Sequence, residues 1–144
     1  MYELTKQKST GSRIIFGIII FAFIAAVLNM AIPNRSSTLN DDLIKAANEI
    51  NQHAPIIIDS TTRLDNVNAL SGSTFQYNYT LLTVLRTEVD TNQLKSSAKE
   101  IMITQLKNNP KVAIFKENNI EIRLRYTDKK GAEVTTIYIY PTEY

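Results

Sequence analysis

The chain has 144 residues, enough for one domain, and no cysteine, which excludes disulfides, thiolate metal sites and a cysteine nucleophile. Its 16 Lys and Arg residues exceed its 14 Asp and Glu residues by two. The excess lies in residues 1–13, and the remaining 13 basic and 13 acidic residues balance. Because a nucleic-acid-binding domain needs a basic surplus, no nucleic-acid partner is expected.

Residues 14–32 form an uncharged apolar run that ends before Pro33. As a helix, this run would be about 28 Å long, close to the hydrocarbon thickness of a bilayer. It is therefore predicted to be a transmembrane helix. Basic residues on its amino-terminal side predict a cytoplasmic tail over 1–13 and an extracytoplasmic carboxy-terminal part.

Without cysteine, a bacterial envelope fits better than a eukaryotic secretory route. The predicted localisation is the bacterial inner membrane, as a single-pass protein with its C-terminal domain in the periplasm. Cleavage of the run as a signal peptide is the alternative. Retention is preferred because "FIAAVLNMAIPNRS" offers no pair of small residues in the signal-peptidase pattern.

A polar tether over 33–38 leads to an extracytoplasmic domain over 39–144. Apolar residues recur at helical spacing from Leu39 to Ile50, which predicts a first helix. The segments "PIIIDSTTRLDNVNAL" and "TFQYNYTLLTVL" flank the turn "SGS" and predict a β-hairpin. The second segment alternates, which predicts one face with Phe75, Tyr77, Tyr79 and Leu81 and an opposite face with Gln76, Asn78 and Thr80.

A second helix is predicted after Asp90, which is a suitable capping residue, and a short extra turn is predicted after Pro110. The segments "IEIRLRY" and "AEVTTIYIY" then flank "TDKKG" as a second hairpin. The order predicts an α+β fold, an α-β-β-α-β-β domain with a four-stranded antiparallel sheet and helices on one face.

The sequence contains no recognisable catalytic set. His53 is the one histidine and lies beside a proline at a helix end, and "G-x-S-x-G" is absent. No metal, no cofactor and no enzymatic activity are therefore expected. A small envelope hydrolase that uses Asp59 or Asp65 is the less favoured alternative.

The most suggestive polar stretch is "IDSTTRLDNV", which holds Asp59, Arg63 and Asp65. These side chains either pair with one another at a strand entry or contact a partner. Arg123 and Arg125 alternate with apolar residues in "IEIRLRY", so they should face away from the core. These five residues are the predicted partner-binding residues.

Three segments carry a resemblance: T-R-L-D at Thr62–Asp65, Y-x-Y-T-L at Tyr77–Leu81 and Y-x-D-x-x-G at Tyr126–Gly131. Their pattern resembles a group of small exported or membrane-anchored bacterial proteins of unknown function, over roughly residues 38–140. The resemblance implies an envelope location and a shared fold. Members of the group often carry cysteines, and this chain has none, so any shared disulfide is missing.

These features together predict a membrane-anchored extracytoplasmic module that binds another envelope protein. Its anchor, residues 14–32, would raise its effective concentration near that partner. The module is expected to be an accessory to an envelope or secretion assembly, or an inhibitor or immunity protein. The alternative is a periplasmic ligand-binding domain that is released by cleavage.

Overall fold

The computed structural model describes residues 39–109 and 113–144. Three helices and five strands occupy these ranges, with one-turn 3₁₀ helices at Arg86–Glu88 and Pro141–Glu143. In chain order they are α1 (Leu39–Asn51), β1 (Ile56–Ile57), β2 (Thr62–Leu70), β3 (Thr74–Leu81), α2 (Thr91–Asn108), α3 (Ala113–Glu117), β4 (Glu121–Thr127) and β5 (Glu133–Ile139).

The strands form one five-stranded sheet in the order β1-β2-β3-β4-β5. Both predicted hairpins are present, as the antiparallel pairs β2–β3 and β4–β5. β3 and β4 lie side by side and are parallel, because the chain returns through α2 and α3 before β4 begins. The predicted four-stranded antiparallel sheet is therefore wrong. The fold is α+β with a mixed sheet, and the short strand β1 adds a fifth member.

No helix within residues 39–109 and 113–144 is long and apolar enough to cross a membrane. The longest of them, α2, has 18 residues but carries Lys95, Lys99, Glu100 and Lys107, which hydrocarbon would not solvate. This finding contradicts the predicted single-pass localisation in the inner membrane. The predicted tail over 1–13, span over 14–32 and tether over 33–38 lie outside the described residues.

One core lies between the sheet and the helices. On β3 the predicted alternation holds, since Phe75, Tyr77, Tyr79 and Leu81 are 0%, 1%, 1% and 8% exposed. The apolar stripe of α1 is buried against the same side of the sheet, and α3 adds Phe115, whose ring centroid lies 5.5 Å from that of Phe75. These contacts place the helices on one face of the sheet.

The last residue of α1 fastens that helix to β2. The side-chain amide of Asn51 donates to the carbonyl of Val67 and accepts from its backbone N–H, both at 2.7 Å. Along β2, β1 pairs only with Arg63 and Leu64. Asn51 therefore takes the place of a neighbouring strand at Val67 and satisfies both of its backbone groups.

Candidate partner-binding face

The side of the sheet opposite the helices carries polar side chains. The helices bury their apolar residues in the core on the other side, so no helix among the described residues covers it. We define the polar face by the outward side chains of four strands: Arg63, Asp65, Asn66, Asn68, Gln76, Asn78, Thr80, Glu121, Arg123, Arg125, Thr127, Thr136 and Tyr138.

Side-chain hydrogen bonds on the polar face link β2 to β3 and β4 to β3. Arg63 Nε donates to Asp65 Oδ1, and Thr80 Oγ1 donates to Asp65 Oδ2, both at 2.5 Å. The hydroxyl oxygens of Thr80 and Thr127 lie 3.1 Å apart, and Thr127 Oγ1 also donates to the carbonyl of Tyr79 at 3.1 Å. The carboxylate of Asp65 is thereby held by two strands.

The β4–β5 side of the face carries an arginine and a tyrosine in contact. Arg123 donates through Nε to the carboxylate of Glu121, and its guanidinium carbon lies 5.3 Å from the ring centroid of Tyr138. Tyr138 is 44% exposed, so this cation–π pair faces solvent. Arg125 pairs with Glu133 at 3.2 Å on the same side. Both arginines are thus held in defined positions.

Side-chain amides fill the centre of the face. Gln76 Nε2 donates to Asn78 Oδ1 at 2.9 Å, and Asn78 Nδ2 donates to Asn66 Oδ1 at 2.7 Å. A shallow depression of about 300 Å³ opens over these amides and Arg125. Amides both donate and accept hydrogen bonds, so the side chains that line the depression can bond to peptide groups or other uncharged polar groups.

Four of the five predicted partner-binding residues share the polar face, namely Arg63, Asp65, Arg123 and Arg125. Asp59 does not join them. Its Oδ1 accepts from the backbone N–H groups of Thr61 and Thr62, at 2.7 and 2.9 Å, and from the Thr61 hydroxyl at 2.8 Å. Asp59 therefore holds the turn that leads into β2.

The central amides and Tyr138 were not among the five predicted partner-binding residues. Their signal was the strand alternation, which already turned Gln76 and Asn78 away from the core. What no local pattern showed is that β3 lies against β4. In the register of that pair, Gln76 is opposite Arg123 and Asn78 is opposite Arg125. This pairing brings the amides and the arginines together.

Asp128 organises the turn that follows the polar face. Its Oδ2 accepts from the N–H of Arg86 at 2.9 Å, and its Oδ1 accepts from the N–H groups of Lys130 and Ala132 at 2.8 and 2.9 Å. The Arg86 contact and the two turn contacts stabilise the carboxylate, so the pKa of Asp128 lies below its usual value. Gly131 completes the turn with φ of 83°, which suits glycine.

Buried tyrosines support the sheet from the core side. The rings of Tyr79 and Tyr126 stack with centroids 5.0 Å apart, and those of Tyr77 and Tyr79 lie 6.4 Å apart. Burial raises the pKa of Tyr126, and the negative charge of Asp59 raises it further. Among residues 39–109 and 113–144, no group of three His, Cys, Asp or Glu residues could hold a metal ion.

Solved structures share this fold. The type 2 secretion system pilotin EpsS from Vibrio vulnificus is 11% identical, with a TM-score of 0.58 over 73% of this chain and 90% of that chain. The type II secretion system pilotin AspS from Vibrio cholerae is 15% identical, with a TM-score of 0.53 over 71% and 88%.

A candidate secreted protein from Pseudomonas aeruginosa is 12% identical, with a TM-score of 0.56 over 75% of this chain and 98% of that chain. At these identities the likeness shows the fold. No curated protein matches the sequence at a significant level. A family model matches residues 38–136, and the chain therefore belongs to the family described as Domain of unknown function (DUF8479).

Proposed function

We propose that this protein is a protein-interaction module, accessory to a bacterial envelope or secretion assembly, and that its partner docks on the polar face. The observation that carries the proposal is the preformed contact of Arg123 with the exposed ring of Tyr138. Arginine and tyrosine are the residue types that most often dominate binding energy at protein interfaces.

The ion pairs of the polar face lower the entropy lost when a partner binds. Arg63 and Arg123 are each held by a carboxylate two residues away on the same strand. A side chain that is already ordered has less rotamer freedom to lose, so more of its contact energy appears as affinity. The amides between the arginines supply directional hydrogen bonds, which favour one docking geometry.

The shared fold supports the choice of partner class. Two solved structures with this fold are named as pilotins of type II secretion systems. A chain with the same fold and an open polar face is suited to a similar accessory role, and we propose an envelope or secretion protein as its partner.

We propose binding rather than catalysis for the two aspartates of the hydrolase alternative. Asp59 Oδ1 is taken up by a turn, and both oxygens of Asp65 are engaged, by Arg63 and by Thr80. A glycosidase needs one carboxyl group to act as acid and the other as base or nucleophile. Aspartates held in these contacts are poorly placed to act as acid, base or nucleophile.

Site-specific photo-crosslinking in the native host tests the docking surface. A photoreactive amino acid replaces Asn78 at the centre of the polar face, and the same replacement at Thr104, exposed on α2, is the control. We expect an envelope or secretion component to be captured from position 78 and not from position 104. Equal capture from both positions would contradict the proposal.

A matched pair of variants then measures the contribution of the arginine. With the captured partner purified, we expect Arg123→Ala to weaken binding about tenfold. Lys95→Ala removes an exposed positive charge on α2 and should leave affinity unchanged. If both variants bind like the parent protein, the polar face does not dock this partner.

A further inference from the structure

The two edges of the sheet differ in how they are protected. The edge at β1 is two residues long and follows Pro55, and beyond β1 Asn51 satisfies the backbone of Val67. A short strand, a proline and a covering side chain are the devices by which proteins prevent unwanted strand pairing. The β1 edge is therefore closed to pairing with a further strand.

The edge at β5 is longer: its one charged residue, Glu133, lies at its start, Pro141 comes only after its end, and α2 packs against it from the core side. β5 runs for seven residues, Glu133–Ile139, and no described strand lies beyond it. From Val134 to Tyr140 its sequence is "VTTIYIY", which has no charge, no proline and no glycine. On such an edge, alternate residues point their backbone N–H and C=O groups outward, where these groups can pair with another strand.

Side-chain exposure is concentrated at the same edge. The exposed large hydrophobic residues among those described are Ile44, Ile57, Tyr138 and Tyr140, so two of the four lie at β5 or directly after it. Tyr138 and Thr136 point to the polar face, where a neighbouring strand would place its own side chains. Cross-strand pairs of aromatic and β-branched residues are among the more favourable ones in sheets.

We propose that β5 is a self-association edge, on which β5 of a second copy of this chain pairs antiparallel about a two-fold axis. Two five-stranded sheets would then continue as one, and the two polar faces would form a single surface with both Tyr138 rings near its centre.

The chemistry of the strand favours a second copy over an unrelated strand. Short uncharged segments of high β-propensity pair well with themselves, since identical side chains interdigitate without buried charge. Electrostatic repulsion between copies is weak, because basic and acidic residues balance after residue 13. A two-fold antiparallel pair is also self-limiting, because it uses both open edges and leaves only the closed β1 edges outside.

Cysteine cross-linking of the full chain tests the pairing, because the chain has no cysteine of its own. Directly opposed residues of an antiparallel pair have Cβ atoms about 5 Å apart, within reach of a disulfide. Thr136→Cys and Tyr138→Cys are oxidised alone and as a mixture, which covers registers centred on either residue or between them. Thr104→Cys, exposed on α2, is the matched control.

We expect a disulfide-linked dimer from the β5 positions and little from Thr104→Cys. We also expect Thr136→Lys, which sets like charges side by side in the pair, to abolish the dimer in sedimentation equilibrium, whereas Thr104→Lys does not. Cross-linking at β5 no stronger than at Thr104, or a dimer that survives Thr136→Lys, would overturn the proposal. Circular dichroism confirms that each variant is folded.

Discussion

Thr80 Oγ1 donates a 2.5 Å hydrogen bond to Asp65 Oδ2 across the β2–β3 pair, although the two residues are 15 positions apart in the sequence. Asp65 ends the T-R-L-D segment and Thr80 lies in the Y-x-Y-T-L segment. Thr80 also lies 3.1 Å from Thr127, the residue before the aspartate of Y-x-D-x-x-G. The three segments behind the predicted family resemblance therefore meet on the polar face.

Replacing Thr80 with valine should destabilise the fold. The change keeps the shape of the side chain but removes the hydroxyl that donates to Asp65, and a hydrogen bond is worth about 1 kcal/mol. We expect a loss of about that size in the free energy of unfolding, measured by urea denaturation. Thr104→Val makes the same change on the exposed side of α2 and should have little effect. An unchanged urea midpoint for Thr80→Val would contradict a stabilising role for this hydrogen bond.

Replacing Asn51 with aspartate should lower the free energy of unfolding more than removing a single hydroxyl does. The new carboxylate can still accept from the N–H of Val67, but its second oxygen faces the carbonyl of Val67, which loses its donor. We expect a loss of about 2 kcal/mol in the free energy of unfolding. Asn48→Asp, exposed on the same helix, controls for a negative charge near the end of α1. Equal losses in the two variants would mean that the fastening to β2 contributes nothing.

Replacing Tyr144 with phenylalanine tests the contact that holds the final residue. Tyr144 is 4% exposed, and its hydroxyl donates to the carbonyl of Ile120. Without the hydroxyl, that buried carbonyl loses this donor, which should lower the free energy of unfolding by about 1 kcal/mol. Tyr140→Phe is the matched control, because Tyr140 is 48% exposed. The two variants should therefore differ in thermal midpoint, and identical midpoints would count against the contact.

Alkaline pH should unfold the protein through its buried tyrosines. Burial raises the pKa of Tyr144 to about 12 and that of Tyr77, Tyr79 and Tyr126 still further. In the folded protein the pKa of these tyrosines lies above the ordinary 10.0, so folding favours the protonated hydroxyl. The contribution of the buried tyrosines to the free energy of unfolding is therefore full below pH 10 and falls above it. The tyrosinate absorbance that these buried tyrosines contribute should therefore appear together with the loss of circular dichroism signal above pH 10. Ionisation of these tyrosines in a fully folded protein would contradict the prediction.

Acid should weaken the β4–β5 turn through Asp128. Hydrogen bonds from Arg86, Ala132 and Lys130 hold its pKa below the ordinary 3.8, so its contribution is present above that value and is lost as pH falls through the lower, folded-state pKa. Asp128→Asn should be less stable than the parent protein at neutral pH, and the difference should shrink in acid. Glu117→Gln, exposed on α3, controls for the lost charge. A difference that is independent of pH would rule out a role for the carboxylate charge.

Local sequence patterns determined much of the fold. Asp90 was predicted to cap a helix, and its Oδ1 accepts from the N–H groups of Asn92 and Gln93, both at 3.0 Å. The alternation in "TFQYNYTL" and "IEIRLRY" assigned Phe75 and Ile122 to the core and Arg123 to the opposite side, as observed. These predictions hold because capping and period-two alternation depend on residues that are close together in the chain.

Only the tertiary structure decided which strands are neighbours. The parallel pairing of β3 with β4 sets Gln76 beside Arg123, and it makes β5 an edge rather than a central strand. Period-two alternation records which face of its own strand a residue occupies, and it is the same whether the next strand runs parallel or antiparallel. The choice between them was made by the packing of α2 and α3 against the sheet, which depends on contacts far apart in the sequence.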